Sequence, residues 1–226
     1  MVEQRREGAG ISIAKSALSQ GLIALIGTAL LAWVHEFTAP RIAEQEHAQL
    51  LGQLQQVIPA DRFDNAMHED FIVLKDESAF PGGQSVLAFR AREGDEPVAV
   101  ALKFRTNDGY NGRIDLLVGI YADGRVSGVR VLGHKETPGL GDGIDIGRSD
   151  WIRSFEGKSL DDPAESGWAV KRDGGVFDQF TGATITPRAV VNAVQRALGY
   201  FDAHREAIFS TPAEFQGPVE PGGNEP

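Results

Sequence analysis

No cysteine occurs anywhere in the chain. A disulfide framework, a thiolate zinc site, an iron–sulfur cluster and a cysteine nucleophile are therefore excluded within it. Histidine is sparse as well. His35, His47, His68, His134 and His204 are scattered without metal-ligand spacing, so no metal site is expected. Positive charge is in deficit, with 22 Lys and Arg against 32 Asp and Glu and a formal net charge of −10. Nucleic-acid binding needs a basic face, and anionic lipid headgroups need a polybasic patch; this balance argues against both. Any redox chemistry must then come from an organic cofactor. What the chain does have is 42% hydrophobic residues in 226, enough for one domain with a real core plus appendages.

One long stretch carries no charge at all: Ser16 to Val34, bounded by Lys15 and Glu36. A membrane-crossing helix needs roughly 20 mainly apolar residues, and Trp33 sits where an amphipathic ring suits the interface. A cleaved signal peptide is the competing reading. The run is long for a signal core, and no A-x-A site follows it, only His35-Glu36-Phe37-Thr38-Ala39-Pro40. A retained span over 16–36 is therefore expected. Arg5, Arg6 and Lys15 precede it and only Arg41 follows closely. The positive-inside rule then puts residues 1–15 in the cytoplasm and the bulk of the chain outside.

Behind the span, Ile42, Leu50, Leu51, Leu54, Val57 and Ile58 form an approximate apolar stripe, which predicts a helix over 40–58. Strand-like runs follow at Phe71–Leu74, Val86–Ala91, Val98–Arg105, Ile114–Tyr121 and Arg125–Leu132. Glu93-Gly94-Asp95 and Asp123-Gly124 separate neighbours as hairpin turns would. Val190, Val191, Val194 and Leu198 recur at helical spacing from Pro187 to about His204, with Thr186 placed as N-cap and Pro187 as first helical residue. Gln216–Pro226 is rich in Pro, Gly and Glu and reads as disordered. The fold class expected is α+β: one N-terminal transmembrane helix, then a compact extracytoplasmic domain with a largely antiparallel sheet and flanking helices. The divisions are 1–15, the span 16–36, a helical linker 37–70, the domain 71–207 and a tail 208–226.

Two segments look chemical. In the first, Thr181-Gly182-Ala183 makes a tight loop feeding a helix N-terminus, where unpaired N–H groups and the helix dipole favour a phosphate. The hydroxyls of Thr181, Thr184 and Thr186 add donors, or an oxygen for esterification. Without more, the same residues also read as a turn and a helix cap. The second is His134-Lys135-Glu136-Thr137-Pro138-Gly139-Leu140-Gly141, a Pro/Gly-shaped loop at a strand end. It reads equally as an ordinary turn. Asp142, Asp145, Asp150 and Glu156 read as a solvated acidic surface, and no catalytic acid–base pair is expected.

Asp178-x-x-Thr181-Gly182-Ala183-Thr184 resembles the acceptor motif of flavin transferases, in which FMN is joined through its phosphate to the final threonine, here Thr184. Taken with HKETPGLG, the loop Asp108-Gly109-Tyr110, Leu116-Leu117-Val118-Gly119 and Trp168-Ala169-Val170-Lys171, the chain is similar to the G subunit of the Rnf/Rsx electron-transport complexes from its span to about residue 205. The C subunit of the sodium-pumping NADH:quinone reductase shares the architecture but fits less well. The resemblance implies a periplasmic FMN-binding domain on an inner-membrane anchor. It implies that FMN is covalently attached to Thr184, with Asp178, Thr181, Gly182 and Ala183 in the motif and Thr186 beside it. Glu136, Thr137, Gly139 and Leu140 would line the flavin. Tyr110 is added to these as a candidate ring contact, its other reading being a core or surface aromatic. Partners would be the other membrane subunits and an FMN transferase, and the complex would move electrons between ferredoxin and NAD. The readings kept beside it are a C-type reductase subunit, a free-standing membrane-anchored flavoprotein, a non-redox module holding a phosphate ligand reversibly, and a tethered structural protein.

Overall fold

A computed structural model describes residues 2–81 and 84–214. The chain divides between Gln49 and Leu50 into two compact units. One helix, α1 (Val2–Val57), carries the backbone across that division. The helix expected at 40–58 is present to Val57 as the last part of α1: helical backbone continues through Pro40, whose fixed φ suits a helix.

Within the first unit, Gln20–Thr38 is apolar enough to cross a membrane and none of it is buried. Its 19 residues rise about 28 Å at the helical pitch, close to the hydrocarbon thickness of a bilayer. Leu25 and Leu31 are 68% and 72% exposed, so water is a poor solvent for this surface and lipid a good one. Its hydroxyls are already satisfied: Thr28 Oγ1 donates to the Ala24 carbonyl at 2.9 Å and Thr38 Oγ1 to that of Val34 at 2.7 Å. Trp33 and Phe37 stack at 6.0 Å.

In the second unit a five-stranded sheet runs in simple order, β1 (Phe71–Leu74), β2 (Val86–Glu93), β3 (Glu96–Gly109), β4 (Gly112–Tyr121) and β5 (Val126–His134), every pair antiparallel. The turn glycines do what their positions require. Gly94 and Gly124 have φ of 60° and 92°, a region glycine enters without steric cost. Alternating side chains give the sheet two buried faces. Val100, Leu102, Leu116, Val118 and Ile120 face a long helix, α2 (Ile185–Ser210), through its Val190, Val191, Val194, Leu198 and Phe201. Ala91, Ala99, Ala101 and Leu117 face Leu54, Val57, Ile58 and Met67.

That second face is built from small residues because backbone lies directly upon it. Gly119 and Gly128 are paired across β4 and β5. A Cβ on Gly119 would come within 2.8 Å of the Val57 carbonyl, and one on Gly128 within 3.1 Å of the Val57 Cα. Gly119→Val is therefore expected to destabilise by about 2–3 kcal/mol through overpacking, although valine is the better strand former. Urea unfolding checks this; a stability unchanged or raised would show that Val57 yields readily.

Between β5 and α2 the chain makes no long element. Short 3-10 turns at Asp142–Ile144, Asp150–Phe155, Glu165–Gly167 and Lys171–Asp173 are held by an aromatic cluster in which Phe155 packs on Phe177 at 4.6 Å and on Trp168 at 6.2 Å. Beyond α2, the Glu214 N–H donates to the Phe71 carbonyl at 2.8 Å. Ordered chain thus passes the boundary expected at 207. The disorder expected for Gln216–Pro226 lies outside the described residues.

Candidate functional site

Both chemical segments end at one cleft. Its volume is about 250 Å³, and it is lined by Tyr110, Glu136, Thr137, Leu140, Gly141, Gly182, Ala183, Thr184, Ile185 and Thr186. The β3–β4 hairpin brings Tyr110, the loop after β5 brings Glu136 to Gly141, and the turn before α2 with the helix's first two residues brings the rest. Of the residues singled out from sequence, Asp178, Thr181 and Gly139 are not among those lining it. Gly141, which ends the Pro/Gly-shaped loop, and Ile185 are not among the expected contacts, and they do line it.

Glu136 is the keystone of the floor. It is 4% exposed and accepts two hydrogen bonds, from the Asn111 N–H at 3.0 Å and from the Thr186 hydroxyl. Three elements are thereby tied to one carboxylate. A Cβ on Gly109 would reach 2.8 Å from Glu136 Oε1, and one on Gly141 would reach 2.9 Å from Oε2, so only glycine leaves room on either side. The Asn111 side chain adds a bond to the Lys135 carbonyl at 2.9 Å. Asp142 shapes the loop further by accepting from the Gly139 N–H at 2.7 Å, while Gly139 itself has φ of 76°. Asp142 is thus a loop fastener more than a solvated surface charge.

The second wall is the turn Phe180–Ala183, closed by the Ala183 N–H donating to the Phe180 carbonyl at 3.1 Å, with Gly182 at φ 80°. Trp151 anchors its approach, donating from Nε1 to the Asp178 carbonyl at 2.7 Å and packing on Phe180. Helix α2 begins at Ile185 with Thr184 as its N-cap, and no side chain caps it. This corrects the expectation of Thr186 as cap and Pro187 as first helical residue. The Thr186 hydroxyl is instead committed to Glu136. At Ile185 and Thr186 the helix presents backbone N–H groups that no earlier turn can satisfy.

Charges around this wall are mostly paired. Lys171 Nζ lies 2.6 Å from Asp178, and Arg188 grips Asp173 at 2.6 and 2.9 Å. The Arg188 bond holds the Asp173 carboxyl below its usual range. Arg113 is bound to Asp115 at 2.9 Å. Around the mouth the surface is apolar. Among the described residues of the second unit the exposed large hydrophobics are Tyr110, Leu140, Val176 and Ile185, and three of these line the cleft.

Comparison with known proteins agrees with this geometry. Residues 109–199, which carry every lining side chain, match the family model of the FMN-binding domain. The class is thus an FMN-binding domain that follows an apolar N-terminal helix. Residues 7–57 match the RnfG N-terminal region. Among curated proteins, the chain is 48% identical over 202 residues to the G subunit of the ion-translocating oxidoreductase complex of Shewanella loihica, covering 89% of this chain and 95% of that one. It is 46% identical over 214 residues to that of Pseudomonas aeruginosa (95% and 97%) and 42% over 198 residues to that of Aliivibrio fischeri (88% and 94%). The chain belongs to the family of G subunits of ion-translocating oxidoreductase complexes.

Proposed function

We propose that this chain is an electron-relay subunit of a membrane-bound, ion-translocating oxidoreductase complex and carries FMN as a phosphoester on Thr184. The observation that carries the reading is the meeting of the Glu136–Gly141 loop and the Thr181–Thr184 turn at one apolar-rimmed cleft. The residues fit the group. Apolar side chains at the mouth suit a flat ring, Thr184 offers a hydroxyl, and the free N–H groups of Ile185 and Thr186 with the α2 dipole suit a phosphate. A cleft of about 250 Å³ lies below the usual range of ligand sites, about 300–1,000 Å³. It would therefore enclose part of the nucleotide and leave part accessible to a redox partner.

Thr184 Oγ would form the new P–O bond to a flavin nucleotide phosphoanhydride, whose other phosphate would leave with the electron pair of the broken P–O bond and take up the hydroxyl proton. An FMN transferase supplies that donor. Once attached, the flavin accepts and releases electrons. Tyr110, Leu140 and Ile185 would hold the ring side and exclude water, and Glu136 keeps the loop, the hairpin and α2 in register. Asp178, paired with Lys171, and Thr181 at the exposed turn are the parts of the motif left facing outward, where the transferase would read them. No residue of this chain need act as an acid or base for electron transfer.

Intact mass of the protein from its native membrane, followed by peptide mapping, tests the reading. An added mass of FMN minus water on the peptide containing Thr184 is expected. An unmodified chain from cells that contain the transferase would favour a module holding its phosphate ligand reversibly. The location follows separately from Arg5, Arg6 and Lys15 before the span. A reporter fused after Phe209 is expected outside the cytoplasm, and a cytoplasmic signal there would reverse the topology.

A further inference from the structure

We infer that Arg172 is the phosphate-recognition residue of this site, pairing with the phosphodiester formed on Thr184; the inference rests on the functional reading above. Its Nη1 is 3.4 Å from Thr184 Oγ1, long for a hydrogen bond to a neutral acceptor but directed at the atom that would bear the phosphate. Its own backbone is fixed. The Arg172 N–H donates to Gln179 Oε1 at 3.2 Å, and the turn it occupies ends at Gly174, with φ of 91°. A Cβ on the next residue, Gly175, would lie 2.0 Å from the Ala169 carbonyl, so this loop closes tightly on itself.

The charge arrangement around it is selective. Asp173 and Asp178, the carboxylates nearest in sequence, are engaged by Arg188 and Lys171. Those two pairs cancel. Arg172 makes no ion pair among the described residues, so the cluster is left with one uncompensated positive charge beside Thr184. A phosphodiester carries one negative charge. In a chain whose formal net charge is −10, a guanidinium left without a carboxylate at this place is matched to an anion that the chain does not itself provide. The fork of N–H donors suits the two free phosphate oxygens, while the α2 N-terminus faces the same group.

The test uses the full-length chain in detergent, loaded by the FMN transferase, with covalent flavin followed by intact mass and the phosphodiester by phosphorus NMR. Arg172→Gln is expected to slow loading about fivefold, the range of a partly exposed charge-assisted contact, and to shift the phosphorus resonance of the loaded chain. Arg172→Lys should restore most of the rate, and Arg172→Glu should fall below Arg172→Gln. Wild-type loading and an unchanged resonance in Arg172→Gln would overturn the inference while leaving Thr184 as the acceptor. Slower loading accompanied by a lowered unfolding midpoint of the unloaded chain would also overturn it, as would slower loading that lysine does not restore. Failure of the wild-type chain to take up flavin would overturn the reading at Thr184 and the inference together.

Discussion

Thr184→Ala is expected to abolish covalent flavin completely while the domain stays folded. The two halves of that outcome have separate causes. Alanine removes the oxygen through which the phosphoester would form, and neither of the other threonines of the turn and helix start is placed to stand in. Thr186 is buried, at 1% exposure, and committed to Glu136, and Thr181 lies on the other side of the Gly182 turn and does not line the cleft. Stability should change little, because Thr184 occupies the N-cap position without making a capping bond. The usual loss of about 1 kcal/mol on removing a cap therefore does not apply. Thr184→Ser, which keeps the oxygen, should still be loaded. The checks are intact mass, visible absorbance after denaturation, and urea unfolding of the unloaded variant. Wild-type flavin in Thr184→Ala would move the attachment elsewhere, and collapse of the fold would show that the threonine serves structure instead.

The largest stability effect is expected far from the cleft, at Asp70. Arg90 is 2% exposed and donates to Asp70 from Nε at 2.7 Å, while Arg92 Nε reaches the second oxygen at 3.0 Å. The same guanidiniums reach the carbonyls that end α2: Arg90 donates to Ile208 at 3.1 Å and Arg92 to Phe209 at 2.7 Å. Asn65 completes the knot by donating to the Arg90 carbonyl at 3.0 Å and accepting the Arg92 N–H at 2.9 Å. Asp70 thus balances two cations that satisfy the C-terminal carbonyls of the helix. Asp70→Ala leaves Arg90 buried without its counter-charge, and breaking such a pair costs about 3–5 kcal/mol. Against a total of about 5–15 kcal/mol for a typical domain, that is a fifth or more. Chemical denaturation should show it. A loss below about 1 kcal/mol, the scale of exposed pairs, would mean that water reaches Arg90 and compensates.

Sequence reasoning locates the five strands to within a few residues because alternation and turn glycines are local signals. Gly94 and Gly124 mark their hairpins with no help from the rest of the chain. The region 135–184 is legible only as motifs. Its 3-10 turns have no sustained period, so Ile144, Ile152, Phe155 and Phe177, all buried, stand outside any stripe that could be counted. Thr186 shows the other failure. Local spacing favours it as a cap, but its hydroxyl is claimed by Glu136, fifty positions away, and no local rule anticipates such a partner. Arg172 is invisible for a related reason: one arginine between a lysine and an aspartate reads as surface charge until the neighbouring pairs are seen to be closed.

The sheet has two outer strands, and the chain bonds a later segment of itself to one end of each. At β1, the Phe71 carbonyl receives the Glu214 N–H at 2.8 Å, and the Val73 N–H is taken by the Glu214 side chain at 3.2 Å. At β5, Val126 exchanges bonds with Gly157 and Lys158, each at 2.8 Å. Bare strand margins recruit other strands, which is the usual route to edge-to-edge aggregation. A domain anchored by a helix is confined to a thin layer, where encounters between copies are frequent. Selvedges sewn at both margins let these copies crowd one surface without knitting together.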